Sequence, residues 1–249
     1  MKVSIITVCF NSAATIEATL ASVATQGWRD FEHILVDGGS TDGTLERVLA
    51  WRGHALRVLH GPDRGIYDAM NKGVAAATGD AIGFLNSDDR YADDTVLALL
   101  AEALVDADFT HGDLVFVDPA HRRVLRYWKG AAFDPRQLRY GSLPAHPTLY
   151  VRRPVFASTG PFSLGYGSAG DIEWMIRLLR QASLRSTYIP RVLVEMNAGG
   201  VSNAGWRSHL RAAREVWRAC AHLGVSPAPF VIGKALRKLP QWLHRSQTA

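Results

Sequence analysis

Through roughly residue 95 the apolar positions alternate between two rhythms: short unbroken runs bounded by turn residues, and stripes spaced three and four apart. Val3 to Cys9 is the first run and reads as a buried strand. Asn11-Ser12 then offers a turn and a helix N-cap ahead of Ile16, Leu20 and Val23 at helical spacing. His33 to Asp37 is a second strand, and Gly38-Gly39-Ser40-Thr41-Asp42-Gly43 is a tight loop into a helix through Leu45, Val48 and Leu49. Leu56 to His60 is a third strand. Asp63-Arg64-Gly65 turns into a helix holding Ile66, Met70 and Val74, which ends near Gly79, and Ala81 to Leu85 is the fourth strand. Strand–helix alternation of this regularity predicts an α/β fold, a parallel sheet with helices on both faces.

Beyond residue 95 the rhythm loosens. The pattern predicts a helix over Asp94 to Val105, a strand over Phe109 to Val117 and Arg/Tyr/Gly/Pro-rich loops to about residue 147. Thr148 to Val151 and Thr187 to Val194 read as strands, with a helix at Asp171 to Gln181 between them. Loops held on a rigid scaffold carry specificity, so this half is expected to shape a substrate site. The chain carries no internal repeat and no low-complexity segment.

Composition narrows the class. With 249 residues, 47% hydrophobic and 20% charged, the chain suits one large soluble α/β domain, or a domain with an appendage. Cys9 and Cys220 have neither CxxC nor metal spacing, which argues for a reducing, cytoplasmic setting and against a disulfide scaffold. The apolar run of Met1 to Thr7 is too short for a signal peptide and is expected to be strand. No segment reaches 18 consecutive apolar residues, and the uncharged stretch Ala219 to Gly233 is interrupted by Pro227 and Pro229, so no membrane span is expected.

The net charge of +5 is concentrated at one end. From Trp206 onward, Arg207, Arg211, Arg214, Arg218, Lys234, Arg237, Lys238 and Arg245 face a single acid, Glu215. The rest of the chain is slightly acidic, which argues against general nucleic-acid binding. Trp206, Leu210, Ala213, Trp217 and Cys220 fall near one helical face, and Phe230, Ile232, Leu236, Leu239 and Leu243 suggest a second stretch interrupted by Pro240. Lys/Arg with Trp/Phe/Leu is the composition of an interfacial helix drawn to anionic lipid. A helix packed on its own domain with a solvated basic face has the same composition.

The chemistry concentrates in Asn86-Ser87-Asp88-Asp89, directly after the fourth strand. Adjacent carboxylates at the carboxyl edge of an open α/β sheet stand where such folds bind ligands. Two like charges there call for a cation or a hydrogen-bond donor, and hard oxygen ligands suit Mg²⁺ or Mn²⁺ held with a diphosphate. The plainer alternative is a turn with an N-cap.

Four features in fixed order resemble the family 2 glycosyltransferases, inverting enzymes with the GT-A fold. They are Ser4 to Asn11, Ile34 to Thr44, Leu85 to Asp89, and Ala169-Gly170-Asp171-Ile172-Glu173-Trp174, the last being the weakest. Asp63-Arg64-Gly65-Ile66-Tyr67-Asp68-Ala69-Met70-Asn71-Lys72-Gly73 looks like the subgroup found in exopolysaccharide and cell-envelope glycan clusters. The likeness spans about residues 3 to 205. It implies a GT-A domain over 1–205, with a nucleotide-binding half at 1–95 and an acceptor half at 96–205, followed by a basic helical tail at 206–249. It further implies that Asp37 accepts a hydrogen bond from the N–H of a uracil or guanine ring, with Val8 and its neighbours lining the base pocket. Asp88 would hold the ribose, Asp89 the Mn²⁺ or Mg²⁺ ion, and Asp171 would be the general base.

The chain departs from the family's commoner Glu-Asp pair, since Gly170 precedes Asp171 and Glu173 lies two residues on as a rival base. Capping roles remain the alternatives for Asp37 and Asp171. His146, Glu173 and Trp174 stand as acceptor or diphosphate contacts, a structural histidine being the alternative for His146. Gly165 to Gly170 literally matches GxGxxG but follows no strand, against a nicotinamide site, and reads as an acceptor-side loop. Gly199-Gly200-Val201-Ser202 reads as a loop over the donor phosphates or a turn. The implied partners are a nucleotide-diphosphate sugar and a glycan or polyprenyl-linked acceptor at the inner membrane face. The rival functions are a non-catalytic nucleotide-sugar-binding protein and a nicotinamide-dependent oxidoreductase.

Overall fold

The computed structural model describes residues 1–120, 122–181, 183–198, 205–238 and 241. The expected loop at Gly199 to Ser202, and the tail positions Leu239, Pro240, Leu243 and Arg245, lie outside the described residues.

The strands are β1 (Val3–Cys9), β2 (Phe31–Asp37), β3 (Leu56–His60), β4 (Ala81–Phe84), β5 (Arg90–Tyr91), β6 (Phe109–Val117), β7 (Val124–Trp128), β8 (Tyr150–Arg152) and β9 (Ser186–Asn197). The helices are α1 (Ile16–Ala24), α2 (Thr44–Ala50), α3 (Ile66–Ala76), α4 (Val96–Ala103), α5 (Arg153–Thr159), α6 (Gly170–Leu179), α7 (Gly205–His222) and α8 (Pro227–Leu236). Short 3₁₀ turns cover Pro135–Tyr140, His146–Thr148 and Leu164–Ala169.

One sheet runs in the order β3-β2-β1-β4-β8-β6-β9-β5, with β7 paired to β6. Its first half is parallel throughout, β1 lying between β2 and β4 and β2 beside β3. All seven residues of β1 are buried, as expected of a central parallel strand covered on both faces. The second half is mixed: β8 runs antiparallel to β4 and β6, while β6 and β9 are parallel. Strand–helix alternation carries parallel crossovers only while it lasts, and past residue 95 it gives way to short returns.

Successive β1 residues face opposite layers. Ile6 and Val8 join the cluster of Tyr67 and Met70 from α3, Phe156 from α5 and Trp174 and Met175 from α6. Val3 and Ile5 meet Leu97 and Leu100 of α4, and Cys9 meets Ile16 and Leu20 of α1 and Val48 of α2. A Cβ on Gly73 would come within 2.4 Å of an Ile6 methyl, so glycine there lets α3 settle directly on β1.

The basic tail is packed as well. Val216, Ala219, Cys220 and Phe230 are buried in the same cluster as Trp174 and Tyr166. Glu215 accepts from the Ser168 backbone N–H at 2.8 Å, tying α7 to the turn before α6. Leu210 and Trp217 on α7 stay exposed with Arg211, Arg214 and Arg218, as do Ile232 and Leu236 on α8. No helix among the described residues is long and apolar enough to cross a membrane.

Candidate active site

Parallel pairing sets Cys9, Asp37 and His60 abreast at the carboxyl ends of β1, β2 and β3. Asp37 has no exposed surface. One of its oxygens accepts from the Ser40 hydroxyl and weakly from the Cys9 thiol at 3.5 Å. The other accepts from the backbone N–H groups of Gly39 and Ser40, at 3.3 and 3.1 Å, and from His60 Nδ1 at 2.7 Å. Burial pushes this carboxyl up, but the hydrogen bonds from Ser40 and His60 outweigh it and hold it below the usual carboxylate range. Val8 is buried one position before Cys9. The loops after β1 and β2 are laced together: Asn11, at a left-handed φ of 51°, donates its N–H to Ser40 Oγ and accepts from Thr41 N–H, both at 2.9 Å.

The second group follows β4. Asp89 is fully buried, its N–H turned back onto the Asn86 carbonyl at 3.0 Å. One Asp89 oxygen accepts from Asn86 Nδ2 at 2.9 Å, and the other has no partner. Burial, and then the charge of Asp88, push the Asp89 carboxyl well above its ordinary range. Asp88 is half-buried and also raised by burial, and its carbonyl accepts from Asn197 Nδ2 at 2.7 Å. Ser87 and Ser12 share a 2.8 Å hydroxyl hydrogen bond, joining this loop to the one after β1.

The third group surrounds α6. Asp171 lies in the first turn, and the N-cap position belongs to Ala169, so capping is not its role. The Tyr67 hydroxyl donates to Asp171 at 3.0 Å. Burial and the nearby Asp171 charge push the Tyr67 phenol up, so it remains a neutral donor. A Cβ on Gly170 would lie 2.7 Å from the Tyr67 ring, so the ring fills the space that a larger residue before Asp171 would need. His146 is buried against Phe84 at the end of β4, ring centroids 5.3 Å apart, and it feels the Asp171 charge. Burial lowers the His146 pKa, with Asp171 opposing.

Glu173 and Trp174 point to other work. Glu173 is buried in a bidentate pair with Arg177, at 2.8 and 2.9 Å. Trp174 is enclosed between Phe156 and Phe162 and donates to the Gly160 carbonyl at 2.8 Å. Neither is gathered at Asp171 as Tyr67 and His146 are.

Sequence reasoning missed Tyr67, Asn197, His60 and Lys234 as members of these groups. Tyr67 lies within the Asp63–Gly73 motif and His60 ends the third strand, positions where the residue type alone announces no role. Lys234, from α8, is lowered by burial, raised by Asp171, and lowered again by Lys238 and Arg126, so these charges stand near one another. No local pattern links positions so far apart in the chain. The described residues contain no cluster of three or more His, Cys, Asp or Glu suited to a metal. A Mg²⁺- or Mn²⁺-type ion held mainly by phosphate and water needs only one carboxylate, and the unpartnered Asp89 oxygen fits that donor set.

Comparison with known proteins bears on these groups. Residues 4–155 match the profile described as Glycosyl transferase family 2. A PGL/p-HBAD biosynthesis glycosyltransferase of Mycobacterium tuberculosis is 37% identical over 204 residues, covering 80% of this chain and 78% of that protein. An uncharacterized glycosyltransferase of the same species is 32% identical, covering 70% of this chain and 68% of its own length. Among solved structures, S. aureus TarS 1–349 superposes with a TM-score of 0.70 at 20% identity, covering 98% of this chain and 71% of that one. A Pyrobaculum calidifontis mannosyltransferase, in complex with GDP-Man and Mn²⁺, gives 0.67 at 20% identity, covering 96% and 70%.

Proposed function

The chain belongs to glycosyl transferase family 2 and has the GT-A fold, and from that premise we propose that it is an inverting, metal-assisted hexosyltransferase. The donor is a nucleotide-diphosphate sugar, and the acceptor is the hydroxyl of a glycan or a lipid-linked glycan. The observation that carries this reading is the buried Asp89 carboxylate, which keeps one oxygen without a partner at the carboxyl edge of the sheet.

In this reading the nucleoside lies along the ends of β1, β2 and β4, with Val8 and Asp37 beneath the base and Asp88 at the ribose. Asp89 holds Mn²⁺ or Mg²⁺. When bound, such an ion neutralises charge on the departing diphosphate, an effect worth roughly several kcal/mol. Asp171 takes the proton from the acceptor hydroxyl as its oxygen attacks the anomeric carbon. The bond from that carbon to the diphosphate oxygen breaks, and the nucleoside diphosphate leaves with the electron pair. Tyr67 holds the carboxylate by its 3.0 Å hydrogen bond and orients the oxygen that remains. Glu173 is less suited to be the base, because both its oxygens are engaged by Arg177.

Two solved relatives of the fold support the donor class: TarS has been crystallised with UDP-GlcNAc, and the mannosyltransferase with GDP-Man and Mn²⁺. The exposed apolar and basic residues of α7 and α8 favour a peripheral position on an anionic membrane surface, at the cytoplasmic face, where a polyprenyl-linked acceptor would be met. A thermal-shift panel of nucleoside diphosphates with Mn²⁺ tests the donor site. UDP or GDP should raise the melting temperature above a metal-only control, and a flat panel would count against the reading.

A further inference from the structure

The expected contact between Asp37 and the base meets an obstacle in the geometry. Asp37 has 0% of its side chain exposed, and both its oxygens already accept hydrogen bonds from within the protein. An incoming base cannot reach it without displacing one of these donors. The group that covers it is His60, whose side chain is 47% exposed and whose Nδ1 lies 2.7 Å from Asp37. We propose that His60, rather than Asp37, reads the nucleobase, its Nε2 accepting the ring N–H of uracil or guanine.

The tautomer follows from the partner. An ionised carboxylate only accepts, so Nδ1 must carry the proton it shares with Asp37. The remaining nitrogen of a neutral imidazole is then a lone-pair acceptor. Asp37 is held ionised by Ser40 and His60 despite its burial, which keeps the shared proton on Nδ1. A histidine nitrogen that accepts selects bases presenting an N–H on the ring, which uracil and guanine have at the corresponding edge and cytosine and adenine lack.

Position agrees with chemistry. His60 pairs with Asp37 in register at the end of β3, in the row that also holds Cys9. Phe10, next in the chain after Cys9, is exposed at the same edge and offers an aromatic face on which a base can stack. Asp37 thereby becomes a positioning residue, acting on the base through the imidazole. The inference rests on the nucleotide-sugar reading of this site and makes its base selection specific.

Isothermal titration in the presence of Mn²⁺ tests it, using UDP, GDP, CDP, ADP and the ring-N-methylated form of whichever diphosphate binds best. Wild-type protein should bind UDP or GDP at least tenfold more tightly than CDP and ADP, and the methylated form about tenfold more weakly. His60→Phe, which keeps the ring but removes both nitrogens, should reduce these preferences to within about threefold, and His60→Gln should restore part of them through its amide carbonyl. On wild-type protein, the ¹⁵N signal of the unprotonated His60 nitrogen should move on adding the preferred diphosphate, a readout independent of how the variants fold. If the diphosphates bind but His60→Phe keeps full discrimination, or methylation has no effect, or the nitrogen signal does not move, the His60 assignment is overturned. If none of the diphosphates binds wild-type protein, the nucleotide-sugar reading itself fails.

Discussion

At the scale of single residues, the candidate site is a set of carboxylates given different surroundings. Asp37 is saturated with donors, Asp89 is buried with an oxygen to spare, and Asp171 has one neutral donor, Tyr67. These surroundings separate their roles more sharply than the residue types do. Replacing Asp171 by Asn should lower kcat by about 10²–10⁴-fold while leaving donor affinity within a few fold. Tyr67→Phe should cost less, about tenfold in kcat, because it removes orientation and leaves the base in place. Steady-state kinetics with donor affinity measured separately would check both, and an Asp171→Asn enzyme with near wild-type kcat would point to another base. The carboxylates were legible in the sequence because each follows a recognisable strand or opens a helix. Tyr67 was in view but could not be assigned, since its contact with Asp171 spans 104 positions and depends on Gly170 leaving room for the ring.

At the scale of elements, periodicity located three strands residue for residue: Val3–Cys9 and Leu56–His60 in the parallel half and Phe109–Val117 in the mixed half are observed with the bounds expected. Buried strands announce themselves as apolar runs. β7, Val124–Trp128, lies within the expected loop region because its residues are all half-buried at the sheet's flank and carry no alternation. The helix α5 was also missed, being short and opened by Arg153-Pro154. Between β2 and the turn before β3 the packing pairs buried His33 with half-buried His54, which the sequence could not disclose. His33 Nε2 meets Thr7 Oγ1 at 2.9 Å and His33 Nδ1 meets His54 Nε2 at 2.9 Å. Burial, and then His54, push the His33 pKa from 6.5 down to about 3. The unfolded chain therefore takes up this proton at a higher pH than the folded one. Stability is full above about 6.5 and declines as pH falls toward 3. Between pH 7.5 and 5 the loss from His33 should be about 2 kcal/mol. Urea unfolding at the two pH values should show it, with a smaller pH difference in His33→Gln. An unchanged difference in that variant would remove His33 as the cause.

At the scale of the whole molecule, the two ends of the chain meet the site from different directions. The parallel half brings Asp37, Asp88 and Asp89 to one edge, and α8 brings Lys234 into the electrostatic reach of Asp171. The basic tail is thus part of the packing, with Phe230 fully buried, and it still presents Leu210 and Trp217 beside Arg211, Arg214 and Arg218 on its outer side. Its composition alone left packing and membrane contact as alternatives; the packed face is observed, and the outer face is the one the proposed membrane contact would use. Co-sedimentation should show preference for phosphatidylglycerol vesicles over phosphatidylcholine vesicles, reduced about tenfold by combined Trp217→Ala and Arg218→Ala. Equal partition onto both vesicles would contradict a membrane role. The central claim is tested most directly by release of nucleoside diphosphate from UDP- and GDP-sugars, with and without Mn²⁺, in wild-type protein and in folded Asp89→Asn. The account predicts saturable, Mn²⁺-dependent release that falls by at least 10²-fold in the variant. Donor binding without turnover on any acceptor, or release unaffected by Asp89→Asn, would contradict it.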